Sequence, residues 1–223
     1  MLAIERVIRT KRKTITLIVE RDGSLVVRAP LRTTDQAVRQ LVEKKADWII
    51  AKQKLVKSIY PPSTRKAFTN GEGFLYLGKV HRLEIVESKK PELILNGKFH
   101  LARPALPKAH QVFERWYKRQ ASEIIGEHVR GYAARNGFSY KQVKITSART
   151  RWGSCSGRGT LSFTWRLVMA PIEMIEYVVV HELVHTQVKN HSKDFWEKVK
   201  VIMPDYKQKV TWLKTNGNTL NLL

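Results

Sequence analysis

The stretch Val178–Trp196, VVVHELVHTQVKNHSKDFW, holds three of the chain's seven histidines, at positions 181, 185 and 191. On an α-helix each residue turns about 100°, so His181 and His185 lie one turn apart on one face. Two neutral imidazoles so placed can grip one Zn²⁺ ion at about 2.0–2.1 Å. Glu182, beside the first, can then take a proton from water at that ion and pass it to a leaving group. This is the H-E-x-x-H pattern of zinc hydrolases. Such an ion takes a third protein ligand and keeps one open position. His191 can be that ligand only if the helix stops and the chain folds back, because six more helical residues would rotate it by about 240°. Asn190 as a left-handed C-cap and Ser192 as the next N-cap offer such a stop. Glu173, Glu176 and Asp194 compete for the third position, or for the outer groups that orient the histidines. The surrounding residues, Val178, Val179, Val180, Leu183 and Val184, are apolar. Burying two histidines and a glutamate among them without a metal or other partner would be costly.

The elements that must position these residues lie in the C-terminal half. Pro171 opens the motif helix as a first-turn proline. A further helix starts near Ser192 and ends at Met203-Pro204. Before the motif, the alternation of KQVKITSARTRWGSCSGRGTLSFTWRLVMAP predicts two strands, Val143–Arg149 and Thr160–Val168, joined by a glycine- and serine-rich loop. The second reads equally as a sheet edge for an extended substrate or as an ordinary interior strand. Trp152, Trp165 and Trp196 read as core aromatics. Cys155 reads as structural, and His81, His100, His110 and His128 lack ligand spacing. A long helix, from His110 to the Asn136-Gly137 C-cap, precedes these strands.

The first hundred residues read as strands around one long helix. KTITLIVERDGSLVVRAP is a hairpin turning at Arg21-Asp22-Gly23. Residues 33–59 have helical periodicity, with Thr34 or Asp35 as N-cap and Val38, Leu41, Val42, Trp48 and Ile49 near one face. Residues 60–74 read as a loop, and the segments around Gly78 and Gly97 as further strands. The texture changes near Arg103. The fold class expected is therefore α+β: an N-terminal β-rich domain with one long helix over 1–105, then a second domain, a small sheet plus the motif helix, over 106–223.

Composition narrows the function. A single cysteine excludes an intramolecular disulfide and fits a reducing compartment. No signal-peptide core and no transmembrane stretch is apparent, so a cytoplasmic protein without a membrane partner is expected. The net charge is +22. Residues 1–105 carry 22 basic and 10 acidic side chains, and residues 106–223 carry 19 and 9. The excess is thus spread along the chain, and it favours anionic partners such as nucleic acid or nucleotides.

The C-terminal half resembles the YgjP-like metallopeptidase domain family. The matching pieces are R-W-G-S-C-S at Arg151–Ser156, W-R-L at Trp165–Leu167, A-P at Ala170-Pro171 and Y-V-V-V-H-E-L-x-H at Tyr177–His185. N-H-S-x-x-F-W at Asn190–Trp196 and P-D-Y at Pro204–Tyr206 follow in the same order. The resemblance implies a zincin-like fold, zinc on His181, His185 and His191, and Glu182 as catalytic base. Through H-E-L-x-H-x5-H and the following F-W, the chain is also similar to the WLM proteases, which act on proteins crosslinked to DNA. Val188 stands where metzincins carry a turn glycine, which moves the expected turn toward Asn190. The function expected is a zinc metallopeptidase acting on a peptide substrate. The alternatives are a nucleoside triphosphate pyrophosphohydrolase, since such a metal site can also hydrolyse a phosphoanhydride, or a DNA-associated protease recruited by its basic surface. The nucleotide reading needs cations at the metal, with Arg149, Arg151, Arg158 and Arg166 as candidates.

Overall fold

The computed structural model describes residues 2–19, 23–59, 66–88, 90–217 and 220. It is a mixed α+β structure whose contacts divide it into two compact units, 1–64 and 65–223.

In the first unit, strands β1 (Arg6–Thr10), β2 (Thr16–Val19) and β3 (Leu25–Pro30) form a sheet of order β1-β3-β2. β1 runs parallel to β3 and β2 antiparallel. The Arg21-Asp22 part of the expected hairpin turn lies outside the described residues. Leu25, Val27 and Ala29 pack one sheet face against Val38, Val42 and Ile49. The one long helix expected here is two, α1 (Asp35–Lys44) and α2 (Ala46–Ile59), interrupted at Lys45. Thr34 caps the first, its hydroxyl accepting from the Ala37 N–H at 3.2 Å. The interruption shifts the helical phase, so Trp48, expected on the apolar face, is 49% exposed while Ile49 is buried.

In the second unit, β4 (Gly73–Tyr76), β5 (Lys79–Val86), β6 (Leu93–Asn96) and β7 (Lys98–Ala102) form a sheet of order β4-β5-β7-β6. Helix α3 (Ala109–Asn136) packs on it, with the Phe74 and Phe113 rings 4.3 Å apart and Phe99 and Trp116 4.9 Å apart. These aromatic contacts tie residues 66–102 to the helix that follows. The dividing point therefore falls well before residue 105, where the texture of the sequence put it. Gly137, at φ 66°, ends α3 in the left-handed region, its N–H bonded to Ala133 O.

A second sheet holds β8 (Gln142–Thr146), β9 (Gly153–Cys155) and β10 (Thr160–Thr164) in the order β8-β10-β9. Both expected strands are shorter than the alternation suggested, and residues 165–169 form a 3₁₀ turn. The glycine- and serine-rich loop itself supplies the third strand. Its Ser156 and Gly159 close a tight turn that lays β9 antiparallel on β10. Strand β10 is therefore interior, the second of the two readings left open for it, and β8 and β9 are the edges.

Three helices complete the unit: α4 (Ile172–Val184), α5 (Lys193–Ile202) and α6 (Tyr206–Asn216). α4 is apolar nearly all round because α3, α5, α6 and β9 all pack against it. Among the described residues no helix is long and apolar enough to cross a membrane.

Candidate metal centre

The centre is built on the last turn of α4. Pro171 occupies the N-cap position, one residue earlier than expected, and the helix runs to Val184. It then tightens: Thr186 N–H bonds to Leu183 O at 2.9 Å and Gln187 N–H to Val184 O at 3.0 Å. The stop thus comes directly after His185 and uses no left-handed residue. Asn190 is not a left-handed cap, since the positive-φ non-glycine residues described are Phe68 and Leu77. Instead the Asn190 side-chain oxygen accepts from the Ser192 N–H at 3.3 Å and turns the chain into α5. Ser192 holds the N-cap position of α5 without a side-chain capping bond.

This turn returns His191 to the motif helix. Its Nε2 lies 3.0 Å from His181 Nε2 and 3.2 Å from His185 Nε2. The three could hold one metal ion among the described residues; Glu173, Glu176 and Asp194 do not join them. Glu176 instead faces His128 at 3.6 Å. The donor set fits such an ion for two reasons. Donors of a tetrahedral zinc site at about 2.0–2.1 Å stand roughly 3.3 Å apart, close to the observed spacings. The His185 Nδ1 sits 3.0 Å from Val188 O, which can only accept, so Nδ1 carries the proton and Nε2 presents a lone pair inward. Such lone pairs do not hydrogen-bond each other, whereas a shared cation satisfies them together. Burial, then the neighbouring His185 and His191, push the His181 pKa down to about 3, and burial also lowers that of His185. Both rings are therefore neutral at neutral pH, the state a metal ligand needs.

Residues around the triad hold it in place. Tyr177, one turn before His181, brings its hydroxyl to 3.4 Å from His181 Nδ1. Phe195, fully buried, packs its ring 4.9, 4.5 and 4.8 Å from the rings of His181, His185 and His191. Trp196, read from the sequence as core, is only half-buried. It stacks on His191 at 5.6 Å and on Tyr206 at 5.2 Å. Trp165 is core, and Trp152 is half-buried beside Gly217.

Glu182 is 5% exposed, and its Oε2 is buried without a hydrogen-bond partner. Burial pushes its carboxyl up to about 8, with the Arg151 charge pulling the other way. Strand β9 passes directly over it: a Cβ on Gly153 would stand 2.6 Å from Glu182 Oε1. Only glycine permits this approach. Sequence reasoning did not single out Tyr177, Phe195 or Gly153. Tyr177 was findable from its four-residue spacing to His181, and Gly153 was visible only as part of R-W-G-S-C-S.

The four arginines considered for an anion site have different surroundings. Arg166 is 4% exposed, stacks 4.2 Å over the Trp165 ring and donates to Ser147 O at 3.1 Å. Arg149 acts on Arg166, and Arg158 is exposed in the β9–β10 turn. Arg151 is the one whose charge acts on Glu182. Cys155, on β9, is half-buried, its thiol 3.4 Å from Ser156 O and pushed up by burial.

Comparison with known proteins places the chain. A zymogen from Pyrococcus abyssi, the metallopeptidase abylysin, is similar at 21% identity over 38% of this chain and 87% of its own, with a TM-score of 0.36. No curated protein gives a match. A family model matches residues 13–216, nearly the full length, and by that match the chain belongs to the YgjP-like metallopeptidase domain family.

Proposed function

We propose that the chain is a zinc-dependent peptidase in which His181, His185 and His191 hold the ion and Glu182 is the general base. One observation carries the reading. His191 Nε2 comes to 3.0 and 3.2 Å from the Nε2 atoms of His181 and His185, two separate segments converging, and the residue after His181 is a glutamate with a buried oxygen that has no hydrogen-bond partner. When bound, zinc supplies a Lewis acid that polarises the scissile carbonyl and makes water acidic enough to attack it. Glu182 takes the proton from that water and delivers it to the leaving amine nitrogen. Gly153 keeps β9 close to Glu182 and so limits the carboxylate to a narrow range of positions. The substrate lies extended along the edge strand β9, its main chain pairing with Gly153–Cys155. The Phe195 and Trp196 rings pack against His191.

The nucleotide reading draws support from the +22 charge and from Arg151. It loses one of its four candidate arginines, because Arg166 is committed to Trp165 and Ser147. The peptidase reading is therefore preferred. Recruitment to nucleic acid through the basic surface, and a cytoplasmic setting, remain compatible with it.

The test offers the protein unstructured proteins and nucleoside triphosphates side by side. Wild type cleaves peptide bonds. Glu182→Gln retains zinc and loses activity by a factor on the order of 10² or more. His191→Ala loses tightly held zinc, as do His181→Ala and His185→Ala. Pyrophosphate release with intact polypeptides would replace the peptidase reading, and stoichiometric zinc in His191→Ala would move the third ligand elsewhere.

A further inference from the structure

On the far edge of the second sheet, away from β9, a groove of about 580 Å³ runs between α3 and β8. Lys118, Arg119 and Arg130 line its helical side, and Val143 and Ile145 line its strand side. Gly126 lets the Arg130 guanidinium lie close over the helix, 3.4 Å from where a Cβ would stand, and no acidic side chain lines the groove among the described residues. Lys118 is paired with Glu114 at 2.9 Å, but Arg119 and Arg130 are exposed and stand outside the ion pairs described for α3. Charge in the groove is thus positive and incompletely neutralised.

The strand side is an open sheet edge. Just before the strand, Lys141 N–H donates to Gly159 O at 2.8 Å. Ser156 N–H donates to Thr160 O and Thr164 N–H to Trp152 O, so Thr160, Ser162 and Thr164 turn their backbone groups toward β9, and Leu161 and Phe163 turn theirs toward β8. These two stand opposite Val143 and Ile145 in a parallel pair, so they bond to Gln142, Lys144 and Thr146, and Val143 and Ile145 turn theirs outward. β10 is the one strand paired with β8 among the described residues. Helical rise from Lys118 to Arg130 gives about 18 Å. An extended chain covers that in about five residues at roughly 3.3 Å each.

The geometry points to a docking site for an extended acidic peptide that adds to the β8 edge. Its main chain pairs with Val143 and Ile145. Every second side chain faces α3, where carboxylates meet Arg119 and Arg130. The intervening residues sit over solvent. A nucleic acid backbone would match the charge but would leave the outward N–H and C=O groups of β8 without strand partners, so the peptide is the better fit. The site lies on the opposite sheet edge from β9 and stands whether or not the metal chemistry proposed above is correct. It would hold a substrate or adaptor segment away from the cleavage centre.

Fluorescence anisotropy of a labelled peptide of four Glu-Val repeats tests this, with the full-length Glu182→Gln protein as receptor so that the probe is not cut. The acidic peptide binds. The Gln-Val counterpart, and an acidic peptide N-methylated at alternate backbone nitrogens, each bind at least about tenfold more weakly. Arg119→Ser combined with Arg130→Ser, both surface changes, gives a similar loss for the acidic peptide and leaves zinc content unchanged. Equal binding of the Gln-Val probe or of the N-methylated probe overturns the proposal. So does undiminished binding to the double variant. A labelled oligothymidine that binds more tightly than the peptide, and loses that binding in the double variant, also overturns it and makes the groove a nucleic-acid site.

Discussion

Glu182 and Gly153 illustrate how one residue sets the conditions for another. A carboxylate buried to 5% exposure, with one oxygen unpartnered, is costly to maintain and indicates a group reserved for something that arrives from outside the fold. Gly153 allows it to stay there, because a methyl at that position would overlap Glu182 Oε1 at 2.6 Å. Gly153→Ala should therefore displace either β9 or the carboxylate by a few tenths of an ångström to an ångström. Misplacement on that scale costs on the order of 10²-fold in rate. The expected result is a large fall in kcat with zinc content and His ligation unchanged, read by metal analysis alongside kinetics. A variant with wild-type kcat would show that β9 does not hold Glu182 in its working position.

At the scale of elements, α5 matters as much as the motif helix. α4 supplies His181 and His185 at helical spacing, but the turn at 185–192 and the first turn of α5 bring back His191 and seat Phe195 against all three imidazoles. Phe195→Ala removes a fully buried ring and should cost about 3–5 kcal/mol of stability. It should also loosen zinc, because the rings lose the surface that fixes their orientation. Phe163→Ala on β10, equally buried, should cost a comparable amount and leave zinc affinity unchanged. Denaturant midpoints and zinc titrations of the two variants separate the effects. Equal zinc affinity in both would reduce Phe195 to ordinary core.

For the whole molecule, the metal centre joins α4 to α5 within the second unit, so occupancy should stabilise that unit. Metal that binds only the folded state contributes about 4 kcal/mol at a thousandfold excess over its Kd. In a chain of this size each kcal/mol moves the midpoint by about 2–4 °C. Chelation should therefore lower the unfolding midpoint by on the order of 10 °C and abolish activity, with both restored by zinc. Calorimetry with and without chelator checks this, and an unchanged midpoint would mean the histidines are not bridged by metal. The +22 charge, carried by both halves of the sequence, acts at this scale too: it attracts anionic partners without specifying where they bind.

Local periodicity was enough to read some features from the chain alone. The motif helix, the long α3 with its Gly137 cap, the paired strands around Gly78 and Gly97, and the α+β class all follow from contacts within a few residues, where propensity and patterning act directly. The family was likewise legible, from ordered short motifs. Other features depend on residues distant in sequence. Segment 66–102 joins the second unit because its phenylalanines meet α3. β10 is interior because the loop before it folds back as β9, and no alternation in the RWGSC segment announces a strand three residues long. The approach of His191 to His181 and His185 required a turn that the sequence allowed but did not require. Tight carbonyl bonding after Val184 makes that turn, in place of the left-handed Asn190 the residues suggested. Short-range order was written in the side-chain pattern, whereas the meeting of the three histidines, and the burial of Glu182 under β9, were decided by packing between α4, α5 and β9.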